Sequence, residues 1–191
     1  MILITGFKPF LGDSINPSQV LVESVQDPLV TKLILPVEFN RAFDILNQYI
    51  IEFEPKVVVM FGLASGRAKV SIEKIALNWR QSRNSDESGF LPSIGRIDES
   101  SDLALMTSYP VDHLYDELQK LEVPVEISFS AGTFVCNDLY FKVVKQYPKL
   151  KSVFIHVPCI PEQRTENMAC LDLSLLRALV SEVIQFSKKI I

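Results

Sequence analysis

The chain has 191 residues, 48% of them apolar, and a formal net charge of -4. That length and apolar content suit a single domain over residues 1–191 with a sizeable core. The acidic balance, without a Lys/Arg cluster, excludes nucleic acid as a partner, and no apolar run reaches the roughly 18 residues that span a bilayer, so no membrane is expected.

The opening "MILITGFKPF" lacks a basic segment and a small-residue cleavage site, so a cytoplasmic location is expected. In that reducing compartment Cys136, Cys159 and Cys170 are expected as free thiols.

In chain order, residues 2–5 form a short apolar strand. Asn16 and Pro17 then give the cap and first turn of a helix reaching about residue 27. "TKLILPV" is strand-like, and Phe39, Phe43, Leu46, Ile50 and Phe53 recur at helical spacing. Residues 56–62, "KVVVMFG", suit a strand covered on both faces. "GLASGR" lacks the lysine and spacing of a phosphate loop and reads as a tight turn. "KVSIEKIALN" is strand-like, with Glu73 sharing a face with Ile75 and Leu77 and pointing inward. Residues 80–102 are the most polar stretch and read as a long loop of the functional or mobile kind. Val111, Leu114, Leu118 and Leu121 mark a helix, "VEISFS" a strand, the Cys136 segment a helix, "KSVFIHV" a strand, and Leu173, Leu176, Val180 and Val183 the last helix. This alternation indicates a three-layer α/β/α domain with a twisted, largely parallel or mixed central sheet.

Three residues carry candidate chemistry. Cys136 falls in the first turn of its helix, where free N–H groups and the helix dipole favour thiolate, although a free cysteine is also a common small core residue. His156 ends the strand "KSVFIHV", so both fall at one sheet edge if the carboxyl-end rule holds; the alternative is a satisfied core histidine. Glu73, if buried, needs a partner: His156, which it would orient, or a surface Lys or Arg.

"LITGFKPF", "INPS", "FGLASGR", "SIEKIALN", "SAGTFVCNDLYF" and "FIHVPCIPEQ", in this order, resemble the pyroglutamyl peptidase family, also called pyrrolidone carboxyl peptidases, of the cytosolic cysteine type. The resemblance runs from residue 1 to about residue 163. It implies a cysteine exopeptidase that removes N-terminal pyroglutamate (5-oxoproline) from peptides through a thioester. Cys159 and Cys170 have no metal-ligand pattern and CxxC spacing is absent, so neither metal nor other cofactor is expected. The resemblance further implies Cys136 as nucleophile, His156 as general base and acid, and Glu73 as orienting carboxylate. Phe7, Phe10, Asn16, Arg83, Phe134 and Val135 would bind the substrate, with Arg83 near the oxyanion and Asn16 bracing the pocket loop. A homo-oligomer, dimer or tetramer, is implied as well.

The sequence departs from that pattern where Arg83 is followed by Asn84 and Ser85 instead of Ile-Pro, which removes an apolar wall from the pocket. A related Cys-His-Glu amidase or acyl transferase with another substrate, or a non-catalytic lactam-binding homologue, are the alternatives.

Overall fold

The computed structural model describes residues 1–163 and 169–191. The sheet strands are β1 (Ile2–Phe7), β2 (Val30–Leu35), β3 (Val57–Leu63), β4 (Val70–Glu73), β7 (Val125–Ser128) and β8 (Lys151–Val157). They lie in the order β2-β1-β3-β8-β4-β7. All neighbours are parallel except β4 and β8. The apolar run of β3 is at the centre, as its unbroken β-branched character requires, and Val57 to Phe61 are buried.

The helices are α1 (Pro17–Ser24), α2 (Arg41–Phe53), α3 (Val111–Leu118), α4 (Val135–Gln146) and α5 (Leu173–Lys189). Alternate residues along the strands feed two cores. Val57, Val59 and Phe61 pack with the apolar faces of α1, α3 and α5, while Val58, Met60 and Phe154 pack with those of α2 and α4. This is the three-layer arrangement, with a mixed sheet.

Several boundaries differ from expectation. α1 ends at Ser24, short of residue 27, where Val25 adopts extended backbone. Phe39 precedes α2 and is buried as part of the turn into it, and Phe53 at its end is 41% exposed, so the helical stripe reduces to its middle. Leu121 lies beyond the end of α3.

The run "KVSIEKIALN" is broken at Lys74. β4 stays in the main sheet, whereas β5 (Ile75–Leu77) leaves it and pairs antiparallel with β6 (Ala104–Met106). Glu73 is fully buried, but not by sharing a strand face with Ile75 and Leu77.

The expectation of three free thiols is corrected. Cys159 and Cys170 form a disulfide with their Cα atoms 4.7 Å apart, and Cys136 is the free cysteine. The cause is local pairing: the two residues form a parallel bridge, and the Leu171 N–H donates to the Cys159 carbonyl at 2.9 Å. Compartment reasoning from composition carries no information about such a pairing.

Candidate active site

The site forms on one face of the sheet, beneath α4. Gly62 on β3 is the register partner of His156 on β8, so both point to the same face. A side-chain carbon placed on Gly62 would lie 3.1 Å from Cys136 Sγ and 2.8 Å from the Phe154 ring. The cysteine sulfur therefore occupies the space that the glycine leaves open beside His156.

Across the antiparallel seam Ser71 faces His156 and Glu73 faces Phe154, which puts Glu73 diagonal to His156. A long side chain spans that diagonal. His156 Nδ1 and Glu73 Oε1 are 2.7 Å apart. His156 is 4% exposed and Glu73 not at all, and the His156 ring packs on Phe154 at 4.8 Å between centroids.

The carboxyl-end rule does not explain this assembly. β7 is parallel to β4 and so runs against β8, and its carboxyl end points away from that of β8. The chain returns through the turn at residues 130–132, where Gly132 takes φ 80°, and enters α4 with Cys136 as its second residue.

Electrostatics set the resting protonation. Burial, then the Glu73 charge, push the Cys136 thiol up to about 12, against the pull of its own backbone N–H and of Arg67. Removal from water thus outweighs the helix N-terminus that was expected to favour thiolate. Burial also holds His156 below its ordinary value, although Glu73 raises it. Burial pushes the Glu73 carboxyl up, but the hydrogen bond and charge of His156, with Ser128 and Arg67, bring it below the usual carboxylate range. The resting set is thiol, neutral imidazole and carboxylate, with the Nδ1 proton on the Glu73 side and Nε2 left as acceptor.

A cavity of about 410 Å³ opens beside the sulfur, and Phe7, Phe10, Asn16, Arg83, Phe134 and Cys136 line it. Val135 does not; it is fully buried in the core under α4. Glu73 and His156 are buried and do not line the cavity.

Asn16 caps α1, accepting from the Ser18 N–H at 3.0 Å, and its Nδ2 donates to the Lys8 carbonyl at 3.0 Å across the pocket loop. The Phe7 N–H donates to Ser18 Oγ at 3.0 Å, so the first pocket aromatic is tied to the same cap. Phe10 stacks on Phe134 at 5.7 Å, and Phe39 meets Phe134 edge-on at 5.1 Å.

The opposite wall is the loop that begins at Arg80. Asn137, next to Cys136, accepts from the Leu77 N–H and donates to the Leu77 and Trp79 carbonyls. Asp138 accepts from Arg80 Nε at 2.5 Å, and Gln81 is bonded through both backbone groups to Thr133. Gln81, Ser82, Arg83 and Asn84 are thereby held over the cavity.

Sequence reasoning missed Arg67, whose Nη1 donates to Glu73 Oε1 at 2.7 Å. Glu73 has both of the partners considered for it, a histidine and an arginine. The signal was the arginine of "GLASGR", read there only as the end of a turn.

Among the described residues no cluster of three His, Cys, Asp or Glu could hold a metal ion. No described helix is long and apolar enough to cross a membrane.

The sequence profile of the family described as Pyroglutamyl peptidase matches residues 1–184. A pyrrolidone-carboxylate peptidase of Thermosipho africanus is 33% identical, over 95% of this chain and 94% of its own. One of Thermococcus litoralis is 37% identical, over 85% of this chain and 78% of its own. The solved pyrrolidone carboxyl peptidase of Thermococcus litoralis superposes with TM-score 0.90 at 31% identity, covering 98% of this chain and 93% of that one. The crystal structure of Bacillus amyloliquefaciens pyroglutamyl peptidase I gives 0.88 at 28% identity, covering 95% and 93%. Sequence profile, relatives and fold agree along nearly the whole length: the chain belongs to the pyroglutamyl peptidase family.

Proposed function

We propose that the protein is a cysteine exopeptidase that removes N-terminal pyroglutamate from peptides, with Cys136 as nucleophile, His156 as general base and acid, and Glu73 as the carboxylate that orients the imidazole. The observation that carries this reading is the His156–Glu73 contact of 2.7 Å on the face where Gly62 makes room for the Cys136 sulfur.

With its pKa pushed up, the thiol gives its proton to His156 Nε2 as the sulfur attacks the pyroglutamyl carbonyl. The tetrahedral oxyanion meets the first-turn N–H of Cys136, which lacks a helical acceptor, and Arg83 on the cavity wall. The imidazolium protonates the departing amine, leaving a thioester. Water then attacks the thioester carbonyl while His156 takes its proton, and Cys136 leaves as the thiol.

The lactam is neutral, so apolar walls and a few amide hydrogen bonds must select it. Phe7, Phe10 and Phe134 provide the walls, with Asn16 bracing the loop between them; Val135 supports the pocket from below. Asn84 brings a polar amide to the wall where the family pattern has an apolar residue, as the sequence departure implies. A cytoplasmic location is part of this reading and rests on the reactive Cys136 thiol; in that reducing medium the Cys159–Cys170 disulfide would have to resist reduction. The exposed Leu103 and Met106, beside and within β6, favour a homo-oligomer, dimer or tetramer, which light scattering in solution measures.

The test is hydrolysis of a pyroglutamyl fluorogenic amide by wild type, Cys136→Ala and Cys136→Ser in reducing buffer. Turnover that disappears in both variants supports the reading. No turnover by folded wild type overturns it in favour of another amide.

A further inference from the structure

Arg67 is the cation in contact with Glu73, and the mechanism above leaves it unused. Its N–H donates to the Ala64 carbonyl at 3.0 Å, closing the turn after β3, and its side chain is 29% exposed. The guanidinium then reaches in two directions. Nη1 donates to Glu73 Oε1, the oxygen that also faces His156 Nδ1, and Nη2 donates to the Ser130 carbonyl at 2.8 Å. Ser130 opens the turn that leads into α4 and Cys136.

An exposed ion pair contributes little, but this carboxylate has zero exposure. Its second oxygen, Oε2, has no hydrogen-bond partner among the described residues. Burying such a group is costly without partners, and Arg67 is a cation in contact with it whatever the protonation of His156. The titratable groups around the pair are Arg67 from the turn, Cys136 from α4, and Tyr140 from α4, whose hydroxyl donates to the Glu73 carbonyl. Arg67 is the permanent cation of that set.

We propose that Arg67 is a positioning residue: one arm of its fork clamps the Glu73 carboxylate and the other holds the turn that presents Cys136, so that base and nucleophile keep a fixed separation. This rests on the Cys136–His156–Glu73 reading. A lysine would preserve the charge but, as a single compact donor group, would not hold both partners. Charge and geometry can therefore be separated by substitution.

The experiment compares wild type, Arg67→Lys and Arg67→Met in kcat and KM on the pyroglutamyl amide, and in the rate of Cys136 alkylation by iodoacetamide between about pH 7 and 9, with melting curves as a fold control. In Arg67→Met the alkylation rate at a given pH should fall severalfold, because the lost cation no longer holds the thiol down. Its kcat should fall about tenfold or more, with KM within about twofold of wild type. Arg67→Lys should restore the alkylation rate but not the full kcat. An alkylation rate unchanged in Arg67→Met, or wild-type kcat in Arg67→Lys, overturns the proposal. Should Arg67→Met fail to fold, the kcat of Arg67→Lys decides. Alkylation needs no substrate, so wild type that alkylates normally but leaves the pyroglutamyl amide uncleaved counts against the substrate assignment alone.

Discussion

Gly62 and Cys136 share one space: a side-chain carbon on the glycine would stand 3.1 Å from the cysteine sulfur. The same carbon would be 2.8 Å from the Phe154 ring, on which His156 packs. Gly62→Ala is therefore expected to displace the thiol or the ring. Displacements of about 1 Å at a reacting group cost up to about 100-fold, so kcat should fall at least about tenfold. Overpacking should lower stability by about 1–3 kcal/mol. Steady-state kinetics and urea denaturation check both.

Asn137 joins α4, which carries Cys136, to β5 and to the start of the cavity loop through three hydrogen bonds. Asn137→Ala removes the side-chain partner of three part-buried backbone groups and is expected to destabilise the fold by about 1–3 kcal/mol. Because the loop carries cavity-wall residues, KM should rise more than kcat falls in whatever fraction remains folded. Denaturation midpoints and Michaelis curves at low temperature measure the two effects.

The dyad predicts how stability responds to acid. Both His156 and Glu73 have folded-state pKa values below their unfolded ones. The unfolded chain then binds more protons as pH falls, so their contribution is complete above the ordinary histidine value, about 6.5, and is lost progressively below it. The thiol of Cys136 is raised instead, so its contribution declines once pH passes the ordinary thiol value, about 8.5. Melting temperature against pH should show a plateau between these limits. His156→Gln should flatten the histidine-dependent part of the acid side.

The same histidine governs the rate. Catalysis as proposed needs neutral His156, and burial lowers its pKa. The acid limb of kcat/KM should have its midpoint below pH 6.5, the ordinary histidine value. A midpoint above it in the wild-type pH–rate profile would mean that the imidazole is protonated at rest.

The Cys159–Cys170 bridge closes a loop that carries Gln163, whose Nε2 donates to the Ile15 carbonyl at 3.0 Å beside Asn16. Loop-closure entropy for about a dozen residues predicts a loss of about 3 kcal/mol on reduction. Guanidinium titrations with and without reductant should differ by this amount, and a Cys159→Ser, Cys170→Ser double variant should match the reduced protein.

Patterns with a short repeat were legible in the sequence. The continuous apolar run of β3 and the spacing of Leu173, Leu176, Val180 and Val183 in α5 identified elements because burial on a face imposes the period directly. β6 was not legible, since Ala104–Met106 is three residues long and largely exposed. The break at Lys74 escaped because β-propensity continues across it, and only the separate pairing of β5 with β6 removes those residues from the main sheet.

The site was legible through motif resemblance more than through pattern. Spacing could place Cys136 at a helix start, but the meeting of Glu73 with His156, 83 positions apart, depends on the order of strands in the sheet. Arg67 was hidden for the same reason: its role lies in two contacts, one six residues away and the other sixty-three. The disulfide depended on a local pairing that compartment reasoning does not reach.

The seam between β4 and β8 has a further consequence. It is the antiparallel junction in the sheet, and the Glu73–His156 diagonal crosses it. Sliding β4 by one residue would turn Glu73 to the opposite face and separate it from the imidazole. The buried pair thus acts as a key for strand alignment: a chain that closes this seam out of step loses the Glu73–His156 contact with its native fold, and on the catalytic reading proposed above turnover would report that the sheet was assembled in the right register.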